Sequence, residues 1–258
     1  MPGRTLATLT AAVLVTAMTT AYAADAPTVL ITGANRGLGL EFARQYAARG
    51  WQVIATARRP AEATALAELA AAHPGVSIET LDVTDGAAIE ALAMKLRGQA
   101  IDVLLHNAGI TGARAGHGLG SFDYDLYRRV LETNAIGPMR LTEALLDNVA
   151  MSRQKKIVTI SSSEGSITRV DAPRGYWYRS SKAAVNMLMR NLAFEVRKRG
   201  ITVVLVNPGP VDTDMMKGVR MPLQPVPVAA ATVIRIIDGV ALEETGRFWD
   251  YQGGELPW

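Results

Sequence analysis

The chain has no cysteine and only three histidines, His73, His106 and His117. Without cysteine there is no thiol nucleophile, disulfide staple or cysteine-ligated metal, and the redox compartment is left open. The histidines are isolated and make no ligand spacing, so no metal is expected; they read as one residue at the edge of the core and two in loops. An excess of one charge is also missing. The 27 Lys and Arg stand against 24 Asp and Glu, a formal charge of +3, and the cations are scattered along helical stretches, which excludes a basic face for nucleic acid. Nor is there a long hydrophobic run. The N-terminal apolar stretch Leu6 to Ala17 is too short and too rich in Thr to make a stable membrane span, which needs about 20 apolar residues. Arg4 before it and Ala21-Tyr22-Ala23 after it read instead as a secretory leader over residues 1–23, which places a mature chain of residues 24–258 in the periplasm or otherwise outside the cytoplasm. The alternative is translation from Met18, giving a chain that stays in the cytoplasm.

What is present is ample material for one core: 258 residues, 49% of them hydrophobic, fit a single α/β domain. From Thr28 onward, short β-branched runs alternate with Ala-rich helical stretches, the pattern of a parallel sheet covered by helices on both faces. Seven strands are expected, at Thr28–Thr32, Gln52–Ala57, Val76–Leu81, Ile101–His106, Lys156–Ser161, Thr202–Asn207 and near Arg247–Trp249. All but the last are nearly continuous apolar runs, as buried parallel strands require. Helical stretches fall at Leu40–Arg49, Ala61–Ala72, Ala87–Leu96, Tyr124–Val149 and Ser180–Arg199. Prolines at 208, 210, 222, 225 and 227 gather after the sixth strand, where they read as a lid and not as a domain boundary.

The first strand runs directly into Thr32-Gly33-Ala34-Asn35-Arg36-Gly37-Leu38-Gly39, and a helix follows. In that context Gly33 permits a tight turn, Gly37 lets the backbone approach a pyrophosphate, and Gly39 lets the helix pack close to the strand. The helix N-terminus then offers unpaired N–H donors and a favourable dipole to an anion. The architecture expected is therefore a Rossmann-type, doubly wound, mainly parallel seven-stranded sheet in a single domain.

The spacing of these glycines, Thr-Gly, three residues, Gly, one residue, Gly, resembles that of the short-chain dehydrogenase/reductase family. The resemblance continues along the chain. Asp82, with Val83, lies at the end of the third strand, where the family places an adenine contact. Asn107-Ala108-Gly109 follows the fourth strand as the family's strand-stabilising motif. Asn134, Ser162, Tyr178 and Lys182 stand in the family's catalytic order, and Pro208-Gly209, with Val211 and Thr213 beyond, matches its nicotinamide-side loop. The match spans Thr28 to Trp258. The sequence around the glycine turn, through Leu40-Glu41, and the tail Gly246-Arg247-Phe248-Trp249-Asp250-Tyr251 ending Leu256-Pro257-Trp258 look like the C-factor and sniffer-type carbonyl reductases. This resemblance implies hydride transfer between a nicotinamide cofactor and a carbonyl compound such as an aldehyde, ketone or quinone, in a homodimer or homotetramer. A signalling or sensor protein of C-factor type, with incidental turnover, is the second reading, and the intact tetrad counts against it. An epimerase or dehydratase is disfavoured by the glycine spacing and by the lack of a large C-terminal substrate domain.

The chemistry suits the residues. Tyr178 and Lys182 stand four apart on one helical face. Hydride arriving at a carbonyl carbon creates an alkoxide that needs a proton, and a phenol with a pKa near 10 gives one readily only if a neighbouring cation lowers that pKa. Lys182 is expected to do so, and the resemblance also gives it bonds to the nicotinamide ribose. Ser162 would hydrogen-bond the carbonyl oxygen and polarise it, while the resemblance has Asn134 hold a water that links Lys182 to solvent. Ser161 is the alternative serine; Ser162 is preferred because a small residue, Gly165, follows as in the family. Tyr176 is followed four residues on by Ser180 and not by lysine, so its ring, with Trp177, is expected to line the substrate mouth.

The cofactor's identity turns on one more absence. An NAD-binding chain of this fold ends its second strand with a carboxylate for the ribose 2′-hydroxyl, whereas a 2′-phosphate needs positive charge there. Here Ala57 holds that position and Arg58 follows, with Arg36 on the other side of the site, and guanidinium forks suit phosphate oxygens. NADP(H) is expected. Replacing Arg36 and Arg58 together should weaken NADPH by at least about 100-fold and leave NADH nearly unaffected. Titration with both nucleotides tests this, and a parent protein that binds them equally tightly would contradict it.

Overall fold

In the computed structural model, residues 26–112 and 118–258 are described; the leader, Met18 and His117 lie outside the described residues. Seven strands form one sheet: β1 (Thr28–Ile31), β2 (Gln52–Ala57), β3 (Val76–Thr80), β4 (Val103–His106), β5 (Lys156–Ile160), β6 (Thr202–Asn207) and β7 (Phe248–Asp250). Their order is β3-β2-β1-β4-β5-β6-β7, with every pair parallel. All residues of β1, β4, β5 and β6 are buried, which explains why their sequences are nearly continuous apolar runs. Alternation along each strand still divides the core in two. Val29 and Ile31 pack with Phe42, Tyr46, Leu66, Val233 and Ile237 on one face, and Leu30 packs with Leu141, Leu145, Val185 and Met189 on the other. The first face is covered by α1 (Gly37–Ala48), α2 (Thr64–Ala72) and α7 (Val226–Gly239), the second by α3 (Gly86–Lys95), α5 (Gly137–Ala150) and α6 (Tyr176–Val196). The doubly wound architecture expected from the sequence is borne out.

Parallel pairing brings the C-terminal ends of all seven strands to one edge, and the strand order reverses between β1 and β4. A crevice opens there by topology alone. Three local departures from the periodic pattern matter for what fills it. The stretch expected as one helix over Tyr124–Val149 is α4 (Tyr124–Leu131), a π-helical segment (Glu132–Ile136) and α5. A Cβ on Gly137 would lie 2.5 Å from the Val83 carbonyl oxygen, so α5 starts where it can approach the chain beyond β3 closely. Next, the stretch expected from Ala61 opens with a 3-10 turn (Pro60–Glu62) before α2 begins. The third departure is in the proline-rich segment, which becomes helical at Val226, with Pro227 in the first turn where its missing N–H leaves no bond unmade. Gln224 ties that segment back on itself: its N–H donates to the Pro210 carbonyl at 2.7 Å, its Nε2 to Pro208 at 3.1 Å, and its own carbonyl accepts from Asp212 at 2.9 Å.

His106, the last residue of β4, is a core residue. Its Nε2 lies 2.8 Å from Thr142 Oγ1, and burial pushes its pKa down to about 3, so the ring is neutral at ordinary pH. No helix among the described residues is long and apolar enough to cross a membrane.

Candidate active site

The glycine turn leaves β1 at the crevice. Gly33 and Gly37 take positive φ, +67° and +54°, and at Gly39 a Cβ would sit 2.2 Å from the Gly33 carbonyl oxygen and 2.5 Å from Asn107 Nδ2. No side chain fits there, so the helix closes on the turn only with glycine at this position. Thr32 and Asn107 lock the turn to β4. Thr32 Oγ1 accepts from the N–H groups of Asn107 and Ala108, both at 3.0 Å, and Asn107 Nδ2 donates to the carbonyls of Thr32 and Gly33 at 3.0 and 3.2 Å. Asn107 and Ala108 thus hold the turn's shape. Arg36 caps α1 with extended backbone and no side-chain cap bond, leaving the first-turn N–H groups facing outward from the helix end as anion donors.

Asn35, Arg36 and Arg58 are exposed, Leu38 is half-buried and Ala57 is buried at the end of β2. Arg58 has no hydrogen-bond or ion-pair partner among the described residues. Arg36 does have one: its Nη1 lies 3.2 Å from Asp214 Oδ2, and Asp214 is also paired with Lys217. Nothing in the local pattern pointed to Asp214, which lies 178 positions along the chain from its partner. Asp82 lies two residues beyond β3, where its Oδ1 accepts from the Thr84 N–H and hydroxyl at 2.9 and 2.8 Å; Val83 beside it is buried.

The four residues read as catalytic converge at the ends of β4 and β5. Ser162 caps a 3-10 turn (Ser163–Gly165), its Oγ accepting from the Glu164 N–H at 3.2 Å, and its hydroxyl is hydrogen-bonded to the Tyr178 phenol. Lys182 Nζ donates to the Ile160 carbonyl at 2.8 Å and lies 5.7 Å from the centroid of the Tyr178 ring. Asn134, in the π-helical segment, is buried and clamped: Oδ1 accepts from the Ile110 N–H at 2.8 Å, and Nδ2 donates to the Ile110 carbonyl at 2.7 Å and to Ser181 Oγ at 2.9 Å. A Cβ on Gly109 would stand 3.3 Å from Asn134 Oδ1 and 3.7 Å from Lys182 Nζ, so glycine keeps the approach to both open. Two residues missed by the motif reading complete the arrangement, Ser181 and Asn186. Asn186 Oδ1 accepts from Ser161 Oγ at 2.5 Å, and its Nδ2 donates to the Gly165 carbonyl at 3.3 Å. Both lie on the Tyr178 face of α6, the signal that would have revealed them.

Electrostatics differ in one respect from the sequence expectation. Burial raises the Tyr178 phenol above its ordinary value, the Ser162 hydrogen bond pulls it down, and the Glu164 charge pushes it up. Burial also lowers Lys182 to about 8. Ser162 is the group that lowers the phenol in this geometry, and the Lys182 ammonium, 5.7 Å from the ring, is held on the Ile160 carbonyl.

The Pro208-Gly209 loop forms the far wall. Asn207 Nδ2 donates to Asp250 Oδ2 at 2.8 Å and its Oδ1 accepts from the Gly209 N–H at 3.3 Å; a Cβ on Gly209, at φ +74°, would meet the Tyr251 ring at 2.6 Å. Val211 is buried and bridges to Gln224, and Thr213 reaches back to Gly37, its Cγ2 3.4 Å from where a Cβ would be. The distinctive tail therefore shapes the site itself. At its end the Trp258 carbonyl accepts from the Thr168 N–H at 2.9 Å and hydroxyl at 2.6 Å. Trp177 is not at an open mouth. It is buried, stacked on Tyr127 at 4.3 Å and 4.6 Å from Phe122, where it packs α6 against α4; Tyr176 is 41% exposed at the edge of this cluster.

A glycine turn at the switch point together with a Ser-Tyr-Lys-Asn convergence defines a nucleotide-dependent oxidoreductase site, and the chain belongs to the short chain dehydrogenase family, whose model matches residues 27–223. The C-signal protein of Myxococcus xanthus is 39% identical over 158 residues, 61% of this chain and 93% of that protein. Among solved structures, the NADPH-bound carbonyl reductase from chicken fatty liver superposes with a TM-score of 0.84 at 32% identity, covering 90% of this chain and 99% of that one. The carbonyl reductase Sniffer of D. melanogaster follows with 0.81 at 28%, covering 90% and 100%. The likeness to C-factor and sniffer-type proteins expected from the sequence is borne out.

The two serines are separated by this geometry. Ser161 is occupied in the core, and Ser162 faces the phenol. Ser162→Ala should lower kcat by about 100-fold or more, as loss of an oxyanion donor does, whereas Ser161→Ala should act through stability, read as a lower melting temperature. A catalytic loss confined to Ser161→Ala would shift the assignment by one residue.

Proposed function

We propose that the protein reduces carbonyl compounds with NADPH, reversibly, and that Tyr178 is the proton donor. The observation that carries this reading is the convergence of Ser162, Tyr178, Lys182 and Asn134 beside the glycine turn. The residues present suit the cofactor: the turn and the α1 N-terminus fit a pyrophosphate, Arg58 and Arg36 fit a 2′-phosphate, and the open side of Gly109 leads to Lys182. Bound there, a reduced nicotinamide supplies the hydride. The chain's own groups do the rest. The Ser162 hydroxyl holds the carbonyl oxygen and polarises it, and the Tyr178 phenol gives that oxygen its proton as the carbon is reduced, so a carbonyl becomes an alcohol. Lys182 steadies the phenolate left behind, and Asn134 fixes the segment Gly109-Ile110 against α6. The lid from Met215 to Val228 is largely apolar and favours a small or medium apolar substrate. The NADPH-bound chicken carbonyl reductase and the carbonyl reductase Sniffer, both similar to this chain, support the reading.

A panel of aldehydes, ketones and quinones, followed by NADPH absorbance, tests it. Tyr178→Phe should abolish reduction of whichever compound turns over while binding NADPH almost as the parent does, since the ring's shape stays and only the donor goes. Substantial residual turnover would place the acid elsewhere.

A further inference from the structure

The two arginines read as ligands of a 2′-phosphate are not equally free. Arg58, just beyond β2, is exposed and makes no hydrogen bond or ion pair among the described residues. Arg36, in the glycine turn, is engaged: its Nη1 donates to Asp214 Oδ2 at 3.2 Å. The backbone brings Asp214 there. Thr213, the residue before it, has its Cγ2 3.4 Å from where a Cβ on Gly37 would be, so the loop after β6 passes directly over the glycine turn. Gln224 holds that loop from behind, its N–H on the Pro210 carbonyl at 2.7 Å and its own carbonyl accepting from the Asp212 N–H at 2.9 Å. Asp214 opens a 3-10 turn (Asp214–Met216), and its other oxygen pairs with Lys217, so the carboxylate has an anchor besides Arg36. The contact with Arg36 is a bond from one nitrogen between side chains 71% and 49% exposed, a geometry that adds little to stability. Its effect falls on a ligand. A guanidinium holds carboxylate and phosphate by the same N–H groups, and most strongly when it offers two of them to one partner. A phosphate that takes Arg36 in this way must displace Asp214 or share the cation with it, and in either case an anion is brought up beside a carboxylate.

We propose that Asp214 is a specificity-determining residue for the nucleotide: by occupying Arg36 it sets how far NADPH is preferred over NADH, acting against the 2′-phosphate and leaving a cofactor without that group untouched. This rests on the reading of Arg36 and Arg58 as the ligands of the 2′-phosphate. Arg58 is then ready for the phosphate, while part of what Arg36 contributes is offset by the release of Asp214. Affinity for NADPH lies below what two unengaged arginines would give, and the residue responsible stands 178 positions along the chain from the turn it acts on.

Binding reads this without any turnover, by titrating the full chain with NADPH and with NADH at low ionic strength. Asp214→Asn keeps the shape of the side chain and removes its charge. It should tighten NADPH by about threefold, the scale of one exposed charge pair, and leave NADH unchanged. In an Arg36→Gln chain the same substitution should gain nothing, because the competition acts through Arg36. NADPH affinity that stays or falls on Asp214→Asn overturns the proposal; so does an equal gain for NADH, or an equal gain in the Arg36→Gln chain, either of which would assign the effect to charge at large. If in those cases Arg36→Gln still weakens NADPH, the reading of Arg36 as a phosphate ligand stands without the proposal. An Arg36→Gln change with no effect on NADPH, with or without Asp214→Asn, removes Arg36 from the phosphate site and the proposal with it.

Discussion

Helix α6 meets the end of β5 along a single face, and this contact determines where chemistry can take place. Lys182 bonds the Ile160 carbonyl, Asn186 bridges Ser161 and Gly165, Ser181 reaches Asn134, and Tyr178 meets Ser162. These contacts come from residues 178 to 186, about two and a half turns of one helix, so a small rotation of α6 would break all of them together. Hydrogen bonds to a charged group such as Lys182 contribute roughly 1.5–3 kcal/mol, and leaving such a group buried without a partner costs more. The geometry is therefore held by the same bonds that make burial of the lysine tolerable.

The second half of the site depends on this contact less directly. The glycine turn is fixed to β4 by Thr32 and Asn107, and the chain beyond Asn107 passes Gly109 and Ile110 to reach Asn134. A continuous set of short polar contacts thus links the glycine turn to Asn134, Ser181 and α6. At the outer edge the arrangement is looser. Arg36 is held by Asp214 from the loop beyond Thr213, so any anion arriving at Arg36 competes with a carboxylate.

How much of this was legible in the sequence follows from the range of each interaction. Six of the seven strands are nearly continuous apolar runs and were visible for that reason, with ends placed to within two residues; Thr32 and Leu81 fall one residue past β1 and β3 although their N–H groups still bond the Leu105 and Ala57 carbonyls. The glycine turn and the Tyr178–Lys182 pair were legible because their geometry is local, set by backbone conformation or by one helical turn. The π-helical segment was not, since one wider turn hardly changes an apolar periodicity. Asp214 on Arg36, Glu164 with Arg179, and Gln224 on the Pro208 loop are polar contacts made by folding and leave no mark on composition or period. Trp177 was misread because an aromatic beside an active tyrosine looks like a lining residue, when its ring packs one helix on another.

In the proposed reaction, hydride passes from NADPH to a carbonyl carbon at the Ser162–Tyr178 pair. The most direct measurement is isotope transfer: the protein is incubated with NADPH carrying deuterium at one face of nicotinamide C4, and then with the other face labelled, together with a carbonyl compound, and the alcohol is analysed by mass spectrometry. A single deuterium on the carbinol carbon, from one labelled face only, is the predicted result. Alcohol formed without deuterium from either face, or deuterium from both faces equally, would contradict the account.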